Sequence, residues 1–504
     1  MKKGKNNKAE TFYKWIGISI AILLFAAIIL QVGYRIGKEQ IKVWDESSSA
    51  RNSVIMMSNQ DYIVIRNNGI PDHYDVNPPF GLWLKIISYK IFGVTEFAVR
   101  FPSLVSAILT ALLLFSFCTF YLKQIWLGNL LLAIMASTSG YMGYHVARTG
   151  DPDTLLTLII AIYSIAFFVF LEKYPDKRIK FLAILGFMAF LAIFTKSIAG
   201  VAPMAGLAFY SLTQAKGRKM LLDYRIYITA IISLILASSY YIIRELVDEG
   251  FLQAVYVRNF KVIQDYYYEP KHPEFSFYIN YLWTAAFKPF FYFVPLSIIP
   301  AFFSKNNQIK RLILFSFIAA TTILIGQSSI EIKNEWYIAP IYPFLWLLCS
   351  LGIYGTLEIL LRLIKNIKIK RIVSAIIILV LLGSIYPLYL KKFKENYKCT
   401  IKNAFIYHPE REGDFLRKIK KENPEFKSFK VISPYAKRST DFYVQKFKYL
   451  DNTNTLVFQS DSLPVLTAGD TIIACSAKTK MLIEKYTNFE LIDEKKYCKL
   501  YVIK

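Results

Sequence analysis

Apolar stretches of about 20 residues recur along this chain, and their length matches a hydrocarbon layer roughly 30 Å thick. They run from Trp15 to Tyr34, Pro102 to Tyr121, Leu155 to Leu171, Ile226 to Ile243, Leu312 to Gly326 and Ile372 to Leu390. A soluble core of this size needs no such repetition. Segments near 15–36, 99–120, 124–142, 153–171, 179–195, 199–214, 225–244, 279–303, 309–327, 336–357 and 371–390 predict an all-α polytopic membrane protein of about 11 transmembrane helices. The first is too long for a signal-peptide core and is followed by Arg35, Lys38 and Glu39 rather than a small-residue cleavage site, so it reads as a retained helix.

The formal net charge is +25, which in a soluble chain points to nucleic acid. Here it follows the membrane topology. With the N-terminus in the cytoplasm, the inside segments from Lys2 to Arg371 hold 22 Lys and Arg, while the short outside loops hold only Arg148, Lys196 and Lys333. The expected location is the plasma (inner) membrane, multi-pass, with an odd span count leaving the C-terminus outside. The bilayer is then the expected partner, and nucleic acid is not.

Three soluble portions fall on the outer side. Loop 37–98 reads as interfacial helices anchored by Trp44, Trp83 and Phe92. A second, near 245–278, carries Tyr266, Tyr267 and Tyr268, an expected aromatic belt. From about 391 the pattern changes to short β-rich runs (Phe429–Ile432, Thr455–Phe458, Thr471–Ala474, Lys499–Ile503) around a helix at Ala477–Tyr486. The division is a transmembrane domain over 1–390 and a small extracytoplasmic α/β domain over 391–504. Cys118 and Cys349 lie in apolar helices, while Cys399, Cys475 and Cys498 leave room for one disulfide in the tail.

The charged residues that solubility does not explain sit at outer helix ends. Asp45 and Glu46 follow the first span directly. One of them could be a base for an acceptor hydroxyl, or they open a helix as cap and solvated acid. His73, Asp75 and Asn77-Pro78-Pro79-Phe80 come next, the double proline forcing an extended approach and a sharp helix start. Arg100 stands at the mouth of the second span, either functional or snorkelling. Arg148, Asp151 and Asp153 crowd one short loop, where Asp151 is also placed to cap the following helix. Lys196 and Lys333, with Tyr337 nearby, suit a phosphate at headgroup level, or else an ion pair with Asp151 or Asp153.

In this order the motifs resemble the GT-C membrane glycosyltransferases, in particular the branch of protein mannosyltransferases and lipid A aminoarabinose transferases. Trp44-Asp45-Glu46 follows the first helix, and Asn77-Pro78-Pro79-Phe80 is similar to the family's Lys-Pro-Pro-Leu. Phe92-Gly93 through Glu96…Arg100-Phe101-Pro102-Ser103 resembles its Phe-Gly…Glu…Arg-Leu-Pro-Ser. Thr149-Gly150-Asp151-Pro152-Asp153 resembles its second-loop acid motif, Phe194-Thr195-Lys196 its Thr-Lys-Gly, and Lys333…Tyr337…Pro340…Pro343 its late-helix approach. The resemblance spans about 45–345. It implies a GT-C-like fold and an inverting transfer from a polyprenyl-phosphate-linked sugar to a lipid, glycan or protein acceptor. Asp45 would be the base, Glu46 and Asp153 would position the substrates, and Lys196, Lys333 and Arg148 would stabilise the leaving phosphate. Two departures stand out: Asn77 replaces the family's lysine, with His73 a nearby substitute, and Ser197 replaces a glycine.

The alternative function is a multi-pass lipid or solute transporter or flippase, but such proteins carry charges near the midplane on broken helices in matching halves. A membrane-anchored scaffold is a further alternative that leaves the loop acids idle. Asp45, Asp151 and Asp153 offer the oxygens that Mg²⁺ or Mn²⁺ prefers, yet no spacing compels an ion, and no metal is assigned.

Overall fold

The structure, a computed structural model, describes residues 2–43, 45–67, 69–176, 178–258, 274–330, 332–402, 411–432, 438–460, 462–495 and 497–504. Trp44, Tyr266, Tyr267 and Tyr268 lie outside the described residues. Helices α1 (Lys2–Gly33), α2 (Asp45–Asn59), α3 (Phe80–Phe92), α4 (Glu96–Ser116), α5 (Ile125–Ala136), α6 (Asp153–Lys173) and α7 (Arg178–Lys196) carry the first half. Then follow α8 (Ile198–Val201), α9 (Met204–Thr213), α10 (Ala215–Leu221), α11 (Tyr224–Val247), α12 (Phe251–Tyr256), α13 (Phe277–Tyr281), α14 (Ile298–Phe303), α15 (Asn307–Ser328), α16 (Tyr342–Leu360) and α17 (Ile367–Lys402).

Among the described residues, eight helices are long and apolar enough to cross a membrane. The other three of the eleven apolar segments are not straight crossings. Residues 124–142 give only the 12-residue α5, after which Ser137, Thr138 and Gly140 turn the chain. Gly140 is needed there, because a Cβ would clash with the Tyr342 hydroxyl and the Ala286 side chain. Residues 199–214 split into α8 and α9 at Pro203, after Ser197 adopts a left-handed φ of 46°. Residues 277–303 bend by 114°, in a stretch holding Pro289 and Pro295, residues that cannot donate to a helix ladder. Apolarity reports burial in lipid or protein alike, so it did not separate these cases. Outward-facing Ile231, Leu234, Ile235 and Ile242 on α11 are exposed, as a lipid-facing helix requires.

Loop 37–98 folds as α2 and α3 joined by a two-stranded hairpin, β1 (Arg66–Asn67) with β2 (Ile70–Pro71). The tail contributes α18 (Arg411–Glu422), β3 (Ser428–Ile432), α19 (Arg438–Asp451), β4 (Asn454–Phe458), β5 (Thr471–Ala474), α20 (Ala477–Tyr486), β6 (Phe489–Lys495) and β7 (Cys498–Ile503). Its five strands are ordered β4-β3-β5-β7-β6, with β3 parallel to β4 and β5, and β7 antiparallel to β5 and β6. The expected small α/β unit is present; α18, α19 and β6 were not anticipated. The helix expected to end near 390 continues as α17 to Lys402. Phe415 and Leu416 of α18 and Phe442 and Tyr443 of α19 share one core with Ala50, Val54, Leu82 and Ile86, so the tail is seated on α2 and α3.

Cys475 and Cys498, 23 residues apart, form a buried disulfide between the end of β5 and the start of β7. Closing a loop of that length constrains the unfolded chain by about 3 kcal/mol. Cys475→Ser is therefore expected to lower the melting temperature of the detergent-purified protein, and equal melting of the two proteins would contradict the pairing.

Candidate active site

The two acids that follow the first span part company in the structure. Asp45 is the first residue of α2 and remains partly accessible, whereas Glu46 is completely buried. Glu46 accepts from Arg100 at 2.6 and 3.0 Å, from the Gly150 amide at 2.8 Å and from the Lys42 amide at 2.8 Å. Arg100 spends its other donors on the carbonyls of Ile36, Glu39 and Gln40. It neither snorkels nor faces an open site. With all of Glu46's partners internal, the pair fixes the backbone that presents Asp45. A buried ion pair persists only when its remaining donors and acceptors are also satisfied, as they are here.

Around Asp45 a group of charges converges from separate segments. Burial pushes its carboxyl above the ordinary carboxylate value; Lys196 and His145 pull it back, while Asp151 and Asp75 push it further up. Lys196, at the end of α7, donates to Asp153 at 2.8 Å and lies 4.7 Å above the Tyr337 ring. Asp153 opens α6 and is 1% exposed, and one of its oxygens has no hydrogen-bond partner among the described residues. The ion-pair reading of Lys196 is thus realised with Asp153. Asp151 does not cap α6: the cap position is Pro152, without a side-chain bond, and Asp151 instead accepts from the Thr149 hydroxyl at 2.5 Å. His145 lies 3.5 Å from Asp151 and stacks on Trp336 at 4.0 Å with an interplanar angle of 22°. Burial would lower His145, but the nearby Asp151, Asp45 and Glu46 hold it above its ordinary value. Burial alone would raise Asp151, and His145, Thr149 and Lys85 outweigh it to keep that carboxyl low.

His145 and Lys85 escaped the sequence reading. Each carried a signal: His145 is one of only four histidines, and Lys85 is a lone cation in the apolar run Leu82–Ile87. His145 also holds a left-handed φ of 62°, a conformation that costs energy and recurs at functional positions. Lys85 is 4% exposed, and burial brings its amine down to about 8 against the fields of Asp151, Glu46 and Asp75.

Other expected residues lie elsewhere. Arg148 donates to the carbonyls of Gln31, Val32 and Tyr34 and approaches Glu39 at 3.5 Å, closing the C-terminal end of α1. That is the role of a helix cap. His73, the nearby candidate for the family's lysine, contacts Asp248 at 2.8 Å, which is bound in turn by Arg244. Asn77 and Ser197, the two departures from the family pattern, touch each other at 3.3 Å, and Ser197 shares a 2.6 Å bond with Tyr241. Lys333 is buried, four residues before Tyr337. Among the described residues, no three His, Cys, Asp or Glu side chains gather as metal ligands.

Residues 76–243 match the family described as dolichyl-phosphate-mannose-protein mannosyltransferase. The chain is 25% identical to an uncharacterized protein of Aquifex aeolicus, over 64% of this chain and 61% of that one. It is 26% identical to an undecaprenyl phosphate-alpha-4-amino-4-deoxy-L-arabinose arabinosyl transferase of Aeromonas hydrophila, over 53% of this chain and 46% of that one. The matches therefore span less than two thirds of these relatives. Among solved structures, ArnT from Cupriavidus metallidurans bound to undecaprenyl phosphate superposes with a TM-score of 0.66 at 15% identity, covering 97% of this chain and 98% of that chain. AglB, the oligosaccharyltransferase of Archaeoglobus fulgidus, in complex with an inhibitory peptide and a dolichol-phosphate, gives 0.52 at 12% identity, covering 98% and 75%.

Proposed function

We propose that this chain, which resembles the GT-C membrane glycosyltransferases, moves a sugar from a polyprenyl-phosphate donor to an extracytoplasmic acceptor. The observation that carries the reading is the meeting of Asp45 with the Lys196–Asp153 pair, three charges from three segments at neighbouring helix ends. Relatives named for undecaprenyl phosphate, and similar folds bound to undecaprenyl phosphate and dolichol-phosphate, support the donor class.

In this reading the acceptor hydroxyl gives its proton to Asp45 as its oxygen attacks the anomeric carbon. The bond from that carbon to the phosphate oxygen breaks, its electron pair leaves with the polyprenyl phosphate, and the configuration inverts. Lys196 exchanges Asp153 for the phosphate, whose charge grows in the transition state. Asp153 is then free to take a sugar hydroxyl, and Tyr337 keeps the ammonium oriented from below. Lys333 adds a second cation near the phosphate. Asn77 would reach the donor as a neutral hydrogen-bonding group where relatives carry charge. Glu46 contributes by orienting its neighbour.

The membrane domain is assigned to 1–390 and the extracytoplasmic domain to 391–504, with the N-terminus in the cytoplasm. A structural disulfide in the tail supports that orientation, because such bonds persist in oxidising compartments. The acceptor is a lipid such as lipid A, another glycan or a protein. Mass spectrometry of envelope lipids, glycans and proteins from cells with and without the gene separates these. The expected result is one sugar missing from one acceptor class, with sugar-loaded polyprenyl phosphate accumulating. Identical profiles with no accumulation would overturn the proposal.

A further inference from the structure

The backbone leading into Asp45 is held from two distant parts of the chain. On one side, Arg100 of α4 donates to the carbonyls of Ile36, Glu39 and Gln40. On the other, the C-terminal domain reaches in. Arg417 of α18 donates to the Lys38 carbonyl at 3.3 Å, and Tyr443 of α19 accepts from the Ile41 amide at 3.1 Å across 402 positions of sequence. The same Tyr443 hydroxyl donates to Glu96 at 3.0 Å, so one oxygen ties the tail to both the 36–43 segment and α4.

Glu96 is the hub of this contact. It is 7% exposed at the start of α4, and it also pairs with Arg417 at 3.2 Å and Lys446 at 3.8 Å. Glu96 and Arg100 stand one helical turn apart, on the same face of α4. That turn therefore grips the tail with its acid and the pre-Asp45 segment with its base. Beyond the segment, α2 itself packs against α19, and Arg51 of α2 approaches Asp441 of α19 at 3.9 Å. Glu96, Tyr443, Arg51 and Lys446 are buried, so each would carry a desolvation cost if left unpaired, whereas Arg417 and Asp441 keep part of their surface in contact with solvent.

We propose that the C-terminal domain is a positioning element of the transfer reaction: through Tyr443 and Arg417 it clamps residues 36–43 against α4 and so sets where the Asp45 carboxylate stands. Neither residue touches substrate; both act through the backbone. This rests on Asp45 being the base. The tail is then a component of the active centre although it supplies none of the reacting groups.

Tyr443→Phe tests this, since it keeps the ring packed on Phe442 and Phe447 while deleting both hydroxyl bonds. With undecaprenyl phosphate-linked sugar as the donor probe, kcat should fall by about 10- to 100-fold while KM for the donor stays within about twofold, the signature of a displaced catalytic group. The acid limb of the kcat profile should also shift, because the surroundings of Asp45 change. Glu96→Gln should move both readouts in the same direction, and melting temperature and the Cys475–Cys498 bond serve as folding checks. Wild-type kcat and acid limb in both variants overturn the proposal. So does a variant that merely melts early while its folded fraction keeps the wild-type limb. Asp45→Asn separates the layers: if it is inactive and Tyr443→Phe is unaffected, the clamp alone is wrong, whereas sustained transfer by Asp45→Asn removes the base and the clamp together.

Discussion

Asp45→Asn is expected to cut sugar transfer by about 10²- to 10⁴-fold, the usual contribution of a positioned base, with insertion and yield unchanged. Burial holds this carboxyl above its ordinary value, so the wild-type rate should fall as pH drops through a point above the usual carboxylate range. The variant's residual rate should lack that limb. Stability should move the opposite way. A carboxyl whose folded pKa exceeds its unfolded one binds its proton more tightly in the folded state. The fold therefore loses stability as pH rises through that interval, and the loss persists at neutral pH. Removing the charge should accordingly raise the melting temperature near pH 7, a gain of stability bought with function. Transfer by the variant at the wild-type rate would show that the proton goes elsewhere, and a lower melting temperature would show that the carboxylate is structural.

Arg100→Ala should do the reverse and destroy the fold rather than the chemistry. The guanidinium satisfies a buried carboxylate and three backbone carbonyls. Removing one partner of such a pair leaves the other charge uncompensated, at a cost of about 3–5 kcal/mol. That is a large share of the 5–15 kcal/mol typical of a folded protein. The variant should accumulate poorly and elute as aggregate from mild detergent. A monodisperse Arg100→Ala protein with wild-type melting would refute the role given to this pair.

Sequence alone resolved the apolar segments and the alternation of β-rich runs in the tail, because both periods are imposed by lipid and by sheet burial. It could not foresee that 277–303 bends or that α5 stops at Ala136, since hydropathy carries no information on direction. The acids at 45 and 46 looked equivalent as neighbours. They differ because successive helical residues point about 100° apart, which turns Glu46 inward to Arg100 and leaves Asp45 accessible. Arg148 was read by its sidedness, yet its partners are carbonyls at the end of α1, which no local pattern reveals. His145 went unnoticed for a related reason. Its meaning comes from Asp151 six residues on and from Trp336 almost two hundred residues away.

Trp336 and Tyr337 are consecutive residues of one short 3-10 turn, Glu335–Ile341. The indole lies flat beneath the imidazole of His145, and the phenol ring beneath the ammonium of Lys196. The imidazole and the ammonium thus share a footing only two residues wide, so a shift of that turn would move both. A substitution at either ring is therefore expected to disturb His145 and Lys196 together rather than one of them alone.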